Sequence, residues 1–221
     1  MTETNALLSE GIGALCKNED EHKRLFMLLD RYIKEIELFN PAYGLVGTSD
    51  TKELIVKHIL DSLAPLEIIF RLLAELTTDS IPKIADAGSG AGLPGIPLAI
   101  ALPQCEFTLI ERMGRRAGFL MNTKAVLALS NVTVEENEIE KAAPNQFDII
   151  TFRAFKPLEP KLLKTFYNIC KPGGIIAAYK GRREKIEEEM SLLQEAYPEW
   201  EAIRYAVPFL DEERHLLVIK R

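Results

Sequence analysis

Four glycines fall within eight residues, Gly88, Gly90, Gly92 and Gly95, in the stretch Asp86-Ala-Gly-Ser-Gly-Ala-Gly-Leu-Pro-Gly-Ile-Pro97. A short apolar run from Lys83 leads into them and a helix-like pattern follows. Glycine reaches positive φ without steric cost and carries no Cβ, so such a loop bends sharply and admits a ligand to its backbone. Pro94 and Pro97 suit the first turn of a helix, where N–H groups lack upstream partners and are expected to stay free for whatever the loop holds. The spacing predicts a strand, turn and helix that cradle a polar cofactor. A glycine-rich turn without a ligand is the plain alternative, but it rarely calls for so many glycines.

Two cofactor classes compete for the loop. A dinucleotide frame, G-x-G-x-x-G, can be read from Gly90, Gly92 and Gly95, but it starts late relative to the strand. The frame from Gly88 puts Leu93 where the third glycine belongs. Asp86-Ala-Gly88-Ser-Gly90-Ala-Gly92 instead resembles the acidic-x-Gly-x-Gly-x-Gly motif of S-adenosylmethionine (SAM) dependent methyltransferases, where the loop passes beside the amino acid and ribose of the cofactor.

Ligands of open α/β sheets bind beyond the carboxyl ends of the strands, so the chemistry of those ends decides the reading. Glu111 follows the second expected strand and offers a carboxylate to ribose hydroxyls; a solvated strand-end glutamate is the bland alternative. Asn137-Glu138-Ile139-Glu140 follows the third, where adenine would rest. The fourth ends in Thr151-Phe152-Arg153-Ala154-Phe155-Lys156-Pro157. It lacks the Asn/Asp-Pro-Pro-aromatic arrangement used on exocyclic amines and the cysteine needed at pyrimidine carbon 5. Arg153 gives a fixed cation with five donors, and Phe155 gives either an aromatic face for a base or a core aromatic. Arg112, Arg115, Arg116, Arg153, Lys156, Lys180, Arg182 and Arg183 all fall just past strand ends. Cations gathered on one rim of an acidic protein suit a docked polyanion, although solvated helix starts would also place them there. The three histidines form no triad; Lys57, His58 and Asp61 share one helical face as a salt-bridged surface would.

Alternating strand and helix patterns must position these ends. Strands are expected at 83–87, 106–111, 131–135, 147–152 and 174–180, with helices at 94–102, 114–130, 158–170 and 184–197. Lys171-Pro-Gly-Gly174 is expected to close one helix and open the fifth strand. Such alternation implies a parallel, doubly wound sheet. Two further strands near 200–206 and 214–220, with Pro208, Phe209 and Asp211-Glu-Glu213 between them, predict an antiparallel closing hairpin. Before residue 80 the patterns are helical: 2–17, then 20–39 with Leu25, Leu29, Ile33, Ile36 and Phe39 on one face. Asn40-Pro41 is expected to end that helix, and a third begins at Thr51 and carries Ile55, Ile59, Leu63 and Leu66. The organisation is therefore an N-terminal helical extension, 1–80, packed on a cofactor-binding domain, 81–221.

Composition narrows the class. A length of 221 residues, 47% of them hydrophobic and 27% charged, suits a globular protein with a sizeable core. Cys16, Cys105 and Cys170 lie far apart with no C-x-x-C pair, so no zinc site or disulfide framework is indicated and a reducing cytoplasm is expected. No apolar run approaches membrane-spanning length, and the first residues carry no basic or apolar leader. A net charge of −6 argues against nonspecific coating of nucleic acid and leaves the local rim as the relevant feature.

From about residue 37 onward the chain resembles the RsmG (GidB) family of bacterial 16S ribosomal RNA guanine-N7 methyltransferases. The resemblance is carried by Phe39-Asn40, Lys57-His-Ile-Leu-Asp-Ser-Leu63, Asp86-Ala-Gly-Ser-Gly-Ala-Gly-Leu-Pro-Gly-Ile-Pro-Leu98, Gly114-Arg-Arg116 with Phe119-Leu120, Arg153-Ala-Phe155, Lys180-Gly181 and Glu213-Arg-His215. It implies a Rossmann-like SAM-dependent methyltransferase fold, with a seven-stranded, mostly parallel sheet ending in an antiparallel hairpin. It also implies SAM contacts at Gly88, Leu93, Ile139, Glu140 and Arg153, beside the Gly90 and Glu111 read from the loop and strand end. The family usually has Arg-Ala-Glu where this chain has Glu138-Ile-Glu140.

Guanine N7 carries an in-plane lone pair and no proton, so attack on a sulfonium methyl needs no general base. Catalysis then reduces to proximity and alignment, with Arg153 as the positioning residue and no metal expected. Lys57, His58, Arg115, Arg116, Lys156, Lys180, Arg182 and Arg183 are the residues expected to face 16S RNA of the small ribosomal subunit, with the protein acting as a monomer. A SAM-binding RNA-docking protein that transfers no methyl, and a small-molecule methyltransferase, are the alternatives.

Overall fold

A computed structural model of the chain describes residues 2–76, 80–153, 158–193 and 199–221. Helix α1 (Glu3–Leu15) starts where the Thr2 hydroxyl accepts from Asn5 N–H, and α2 (Glu19–Tyr43) starts where the Asn18 side chain accepts from Asp20 and Glu21 N–H. Helix α2 does not stop at Asn40-Pro41. It runs through Pro41 and ends at Gly44 in the left-handed conformation, φ 58°. The Asn40 side chain is spent on the following loop, accepting from Val46 N–H and donating to Thr48 O, and so does not terminate the helix.

The third expected helix is interrupted. Helix α3 (Thr51–Leu54), capped by Asp50, passes into a π-helical turn (Ile55–Leu60) and then α4 (Asp61–Leu63), before α5 (Leu66–Glu75). The remaining elements are β1 (Lys83–Ala87), α6 (Gly95–Ala101), β2 (Glu106–Glu111), α7 (Gly114–Val126), β3 (Val132–Glu136), β4 (Phe147–Arg153), α8 (Pro160–Ile169), β5 (Cys170–Lys180), α9 (Arg183–Ser191), β6 (Trp200–Val207) and β7 (Leu210–Lys220). They form a seven-stranded sheet ordered β3-β2-β1-β4-β5-β7-β6. Strands β1 to β5 are parallel, and β7 runs antiparallel to both β5 and β6.

Two expectations about the strands need correction. Lys171-Pro-Gly-Gly174 does not separate helix from strand: α8 ends at Ile169 and β5 already begins at Cys170, carrying the Gly-Gly pair inside it. The pairing with β4 slips between Phe147 and Ile149, and Gly173 absorbs the slip at φ 75°, a conformation that costs a glycine little. Strand β7 likewise begins at Leu210, so Asp211-Glu-Glu213 belongs to it and only Pro208-Phe209 makes the turn. Because Lys180 pairs with His215, the segment Leu210–Arg214 continues past the carboxyl end of β5 with β6 as its ladder partner. Asp211, Glu212 and Glu213 are exposed in this two-stranded extension, which therefore tolerates an acidic run.

The sheet divides two packed layers. Along β7, Leu216 and Val218 join a core shared with the N-terminal helices, α6 and α7, while Leu217 and Ile219 join a second core under α8 and α9. The first core runs from Leu8 in α1 through Tyr32 in α2 and Ile59 in the π turn to Val218. The α6 side fits tightly: a Cβ on Gly95 would lie 2.4 Å from Leu109 Cδ2 and 2.6 Å from Asp86 Oδ2. Gly95→Ala is expected to destabilise the fold by about 2 kcal/mol, the scale of an overpacked core site. The measurement is the shift in a denaturant midpoint at unchanged slope.

Candidate active site

The glycine loop folds down on its own supports. Gly88 N–H and Ser89 N–H donate to Ile110 O at 2.9 and 3.1 Å, and Gly92 N–H and Leu93 N–H donate to Ser89 O at 2.7 and 3.2 Å. Gly90 N–H donates to Glu111 Oε2 at 2.9 Å and Gly95 N–H to Asp86 Oδ2 at 3.0 Å. The N–H groups around Pro94 are therefore not free for a ligand, contrary to the expectation from helix starts in general. The buried Asp86 carboxyl has taken the Gly95 donor. From the helical side, the fully buried Tyr32 hydroxyl donates to Ala91 O at 2.6 Å.

What the loop leaves open lies above Gly90. At φ 58° this residue sits where a side chain is strained, and an added Cβ would meet nothing nearer than Gly88 O at 3.9 Å and Arg116 Nη1 at 4.0 Å. Glycine there is a matter of backbone conformation and of open space over the loop. Beneath it, Asp86 Oδ1 is buried without a hydrogen-bond partner among the described residues. Burial raises the Asp86 carboxyl to about 7, against the weaker pull of the Gly95 N–H and the Ser89 side chain.

The other expected cofactor residues line the same edge. Glu111 is almost fully buried, and its two carboxylate oxygens accept from Gly90 N–H and from Met113 N–H at 2.8 Å. It braces the loop as well as standing at the end of β2. Ile139 is buried and opens a short 3-10 turn, and Glu140 beside it is exposed. The backbone link Asn137 N–H to Glu111 O, 3.1 Å, holds that turn beside the carboxylate. Leu93 is buried under the loop.

Arg153 ends β4 and reaches across to the π turn. Its Nη1 donates to Asp61 Oδ2 at 3.1 Å and to the carbonyls of Lys57 and His58, each at 3.3 Å, while Nη2 lies 3.2 Å from His58 Nδ1. The side chain is only 13% exposed, so Arg153 is an anchored group and not a freely swinging cation. Asp61 does not pair with Lys57. Its partners are Arg153, Arg214 Nε at 3.3 Å and the Tyr205 hydroxyl at 3.3 Å. Lys57 turns instead to Glu53 and Glu212, at 3.3 and 3.5 Å. The reason is the π turn, whose wider hydrogen-bonding step removes the i, i+4 alignment that an α-helix would have kept.

The cations expected on the rim differ in exposure and partners. Arg112, Arg115 and Arg182 are exposed and form no ion pair among the described residues, whereas the exposed Arg183 pairs with Glu187 at 2.8 Å. Arg116 donates to Gly44 O at 3.2 Å and leans over the glycine loop. Lys180 is not a free cation for RNA. Its ammonium is locked to Glu189 at 2.7 Å and sits 5.8 Å from the centre of the Phe152 ring, because β5 delivers it beneath α9. Phe155 and Lys156 lie outside the described residues. Burial pushes the thiols of Cys105 and Cys170 up to about 11 and about 12, which removes them as nucleophiles. No group of residues suited to a metal ion occurs among the described residues.

Tyr32, Tyr205 and Arg214 were not singled out by chemistry in the sequence. Tyr32 could have been found, since it lies one turn from both Leu29 and Ile36 on the buried face of α2. Tyr205 and Arg214 meet Asp61 only through strand pairing at the far end of the chain.

The comparisons with known proteins fall on the same elements. The family described as GidB, rRNA small subunit methyltransferase G, matches residues 26–217. The chain is 40% identical to the ribosomal RNA small subunit methyltransferase G of Treponema denticola, over 99% of this chain and 95% of that one. It is 41% identical to the protein of the same description from Treponema pallidum, over 97% and 93%. Among solved structures, a SAM-dependent methyltransferase from Aquifex aeolicus is similar with a TM-score of 0.55 and 17% identity, covering 77% of this chain and 93% of that one, which shows the shared fold.

Two groups, the half-buried His58 and the buried Asp86, give opposite pH slopes. Desolvation, with Arg153 close by, lowers His58 to about 4. The unfolded chain then takes up a proton first, and stability is lost as pH falls below about 6.5. Asp86 is raised to about 7, so the folded state holds a proton that the unfolded state has released, and stability is lost as pH rises from about 4 through 7. Asp86→Asn is expected to flatten the loss between about pH 4 and 7, and His58→Gln the loss between about pH 6.5 and 4. Urea unfolding across that range checks both.

Proposed function

The chain belongs to the family described as rRNA small subunit methyltransferase G, and on that premise we propose that it transfers a methyl group from SAM to N7 of a guanine in 16S ribosomal RNA of the small subunit. The observation that carries the reading is the order of the sheet. The glycine loop, Glu111, the Ile139-Glu140 turn and Arg153 follow the carboxyl ends of β1, β2, β3 and β4, which are four neighbours in one parallel array.

The residues fit such a cofactor. The open space over Gly90 is a feature that a ligandless turn would not need. Gly88, Gly90, Leu93, Glu111, Ile139, Glu140 and Arg153 would hold the cofactor, which supplies an electrophilic methyl on a sulfonium. The protein's task is then to bind, orient and exclude water. Guanine N7 has no proton to remove, and among the described residues the His58 imidazole is engaged by Arg153 and Asp86 is sealed below the loop. Arg153, fixed at the junction of β4 and the π turn, serves as the positioning group.

For the RNA face we favour Arg115, Arg116, Arg182 and Arg183, flanked by Lys57, His58 and Lys156. Lys180, neutralised by Glu189, shapes that edge more than it adds charge. The reading makes residues 1–80 an extension that completes the RNA-facing surface of the 81–221 domain, and the partner a small ribosomal subunit met in the cytoplasm by a monomer that needs no metal.

The test is labelled-methyl incorporation from SAM into small subunits from a strain lacking this protein, with the nucleoside identified by mass spectrometry. Label in 7-methylguanosine is expected; SAM binding without incorporation would overturn transfer in favour of RNA docking alone. Replacing Arg115 and Arg182 together by Gln should weaken RNA binding at 0.1 M salt roughly tenfold and reduce the salt slope by about 2, with SAM affinity unchanged.

A further inference from the structure

Asp61 is a buried carboxylate on which three distant parts of the chain converge. Oδ2 receives Arg153 from the end of β4, and Oδ1 receives Arg214 Nε from β7 and the Tyr205 hydroxyl from β6. Burying one carboxylate with two guanidinium groups is an expensive way to gain stability, because each ion is removed from water before the pairs repay it. The local backbone is also bent to the same purpose. Asp61 N–H donates to Val56 O and His58 O, so the π turn bypasses the Lys57 carbonyl, and Arg153 Nη1 takes that carbonyl. Single π turns inside helices recur at functional sites. Among the described residues, the hydrogen bonds of the Arg153 side chain thus go to Asp61 and to the turn that Asp61 ends, while the strand that carries Arg153 lies beside β1 and its glycine loop.

The geometry points to Asp61 as a positioning residue for the cofactor site, acting through Arg153 by holding its guanidinium against the π turn. The inference rests on the methyltransferase reading and adds to it a residue that touches neither cofactor nor substrate. Asp61→Asn keeps the size of the side chain but removes its charge and turns one acceptor into a donor facing an arginine, so Arg153 should leave its place.

The experiment is calorimetric titration of SAM into the wild type, Asp61→Asn, Arg153→Ala and the double variant, with a thermal unfolding curve for each. Asp61→Asn is expected to weaken SAM at least tenfold, and the double variant to bind as Arg153→Ala alone does, within twofold, since a residue acting through Arg153 has nothing left to act on. Tyr205→Phe, which removes one bond to the same carboxylate and leaves both arginines, should lower the unfolding temperature while keeping SAM affinity within twofold. Multiplying losses in the double variant, or a loss of stability in Asp61→Asn with SAM affinity intact, would overturn the proposal. Should Asp61→Asn fail to fold, His58→Ala takes its place. A loss of about threefold that vanishes in the Arg153→Ala background is expected, and an equal loss in both backgrounds overturns it. A wild type that binds SAM yet leaves 16S RNA unmethylated defeats the function reading alone, and the affinity series still decides the role of Asp61; a wild type that does not bind SAM defeats both.

Discussion

The hydrogen bond from Gly95 N–H to the buried Asp86 carboxyl ties the end of the glycine loop back to the strand that opens it. With that bond in place the loop has one available path. Its middle is drawn to Glu111, its turn closes on Ser89, and Tyr32 pins its outer carbonyl. The preorganisation is enthalpically cheap, since the N–H groups of Gly88, Ser89, Gly90, Gly92, Leu93 and Gly95 find acceptors within the protein, and it spares a ligand the entropy of ordering a mobile loop. The cost is a carboxyl group held near neutrality at 0% exposure.

Much of this was legible in the residues themselves. The order of strands and helices, the closing hairpin and the cofactor edge follow from period, glycine spacing and chain direction, because a parallel sheet leaves few places for a loop to go. What the sequence hid was partnership. Lys57 and Asp61 look like an i, i+4 pair, and only the π turn reveals that each has gone elsewhere. Lys180 looks like one more cation on the rim, but its neutralising partner, Glu189, comes from a helix that period analysis places without orienting. The boundaries that moved, at Pro41, Cys170 and Leu210, are those where a tertiary partner took over from a local breaker.

The two faces of the sheet divide the labour. Helices α8 and α9 close one core, whereas the N-terminal helices share the other core with α6 and α7 and meet the glycine loop through Tyr32. The helices that precede the sheet are therefore joined to the site by side-chain bonds as well as by packing, from Arg116 to Gly44 O and from Arg153 to His58 O.

The node at Asp61 also sets an order of events. Its bonds join residues 92 and 144 positions apart, among the longest spans in the molecule, whereas Gly90 and Glu111 are separated by 21. Closing a short span demands little chain entropy and closing a long one demands more, so the cofactor loop can take shape while Asp61 still waits for the hairpin. A chain that has built its cradle but not yet docked β6 and β7 carries an unfinished rim. Asp61 gains its full complement of partners only once β6 and β7 have joined the sheet.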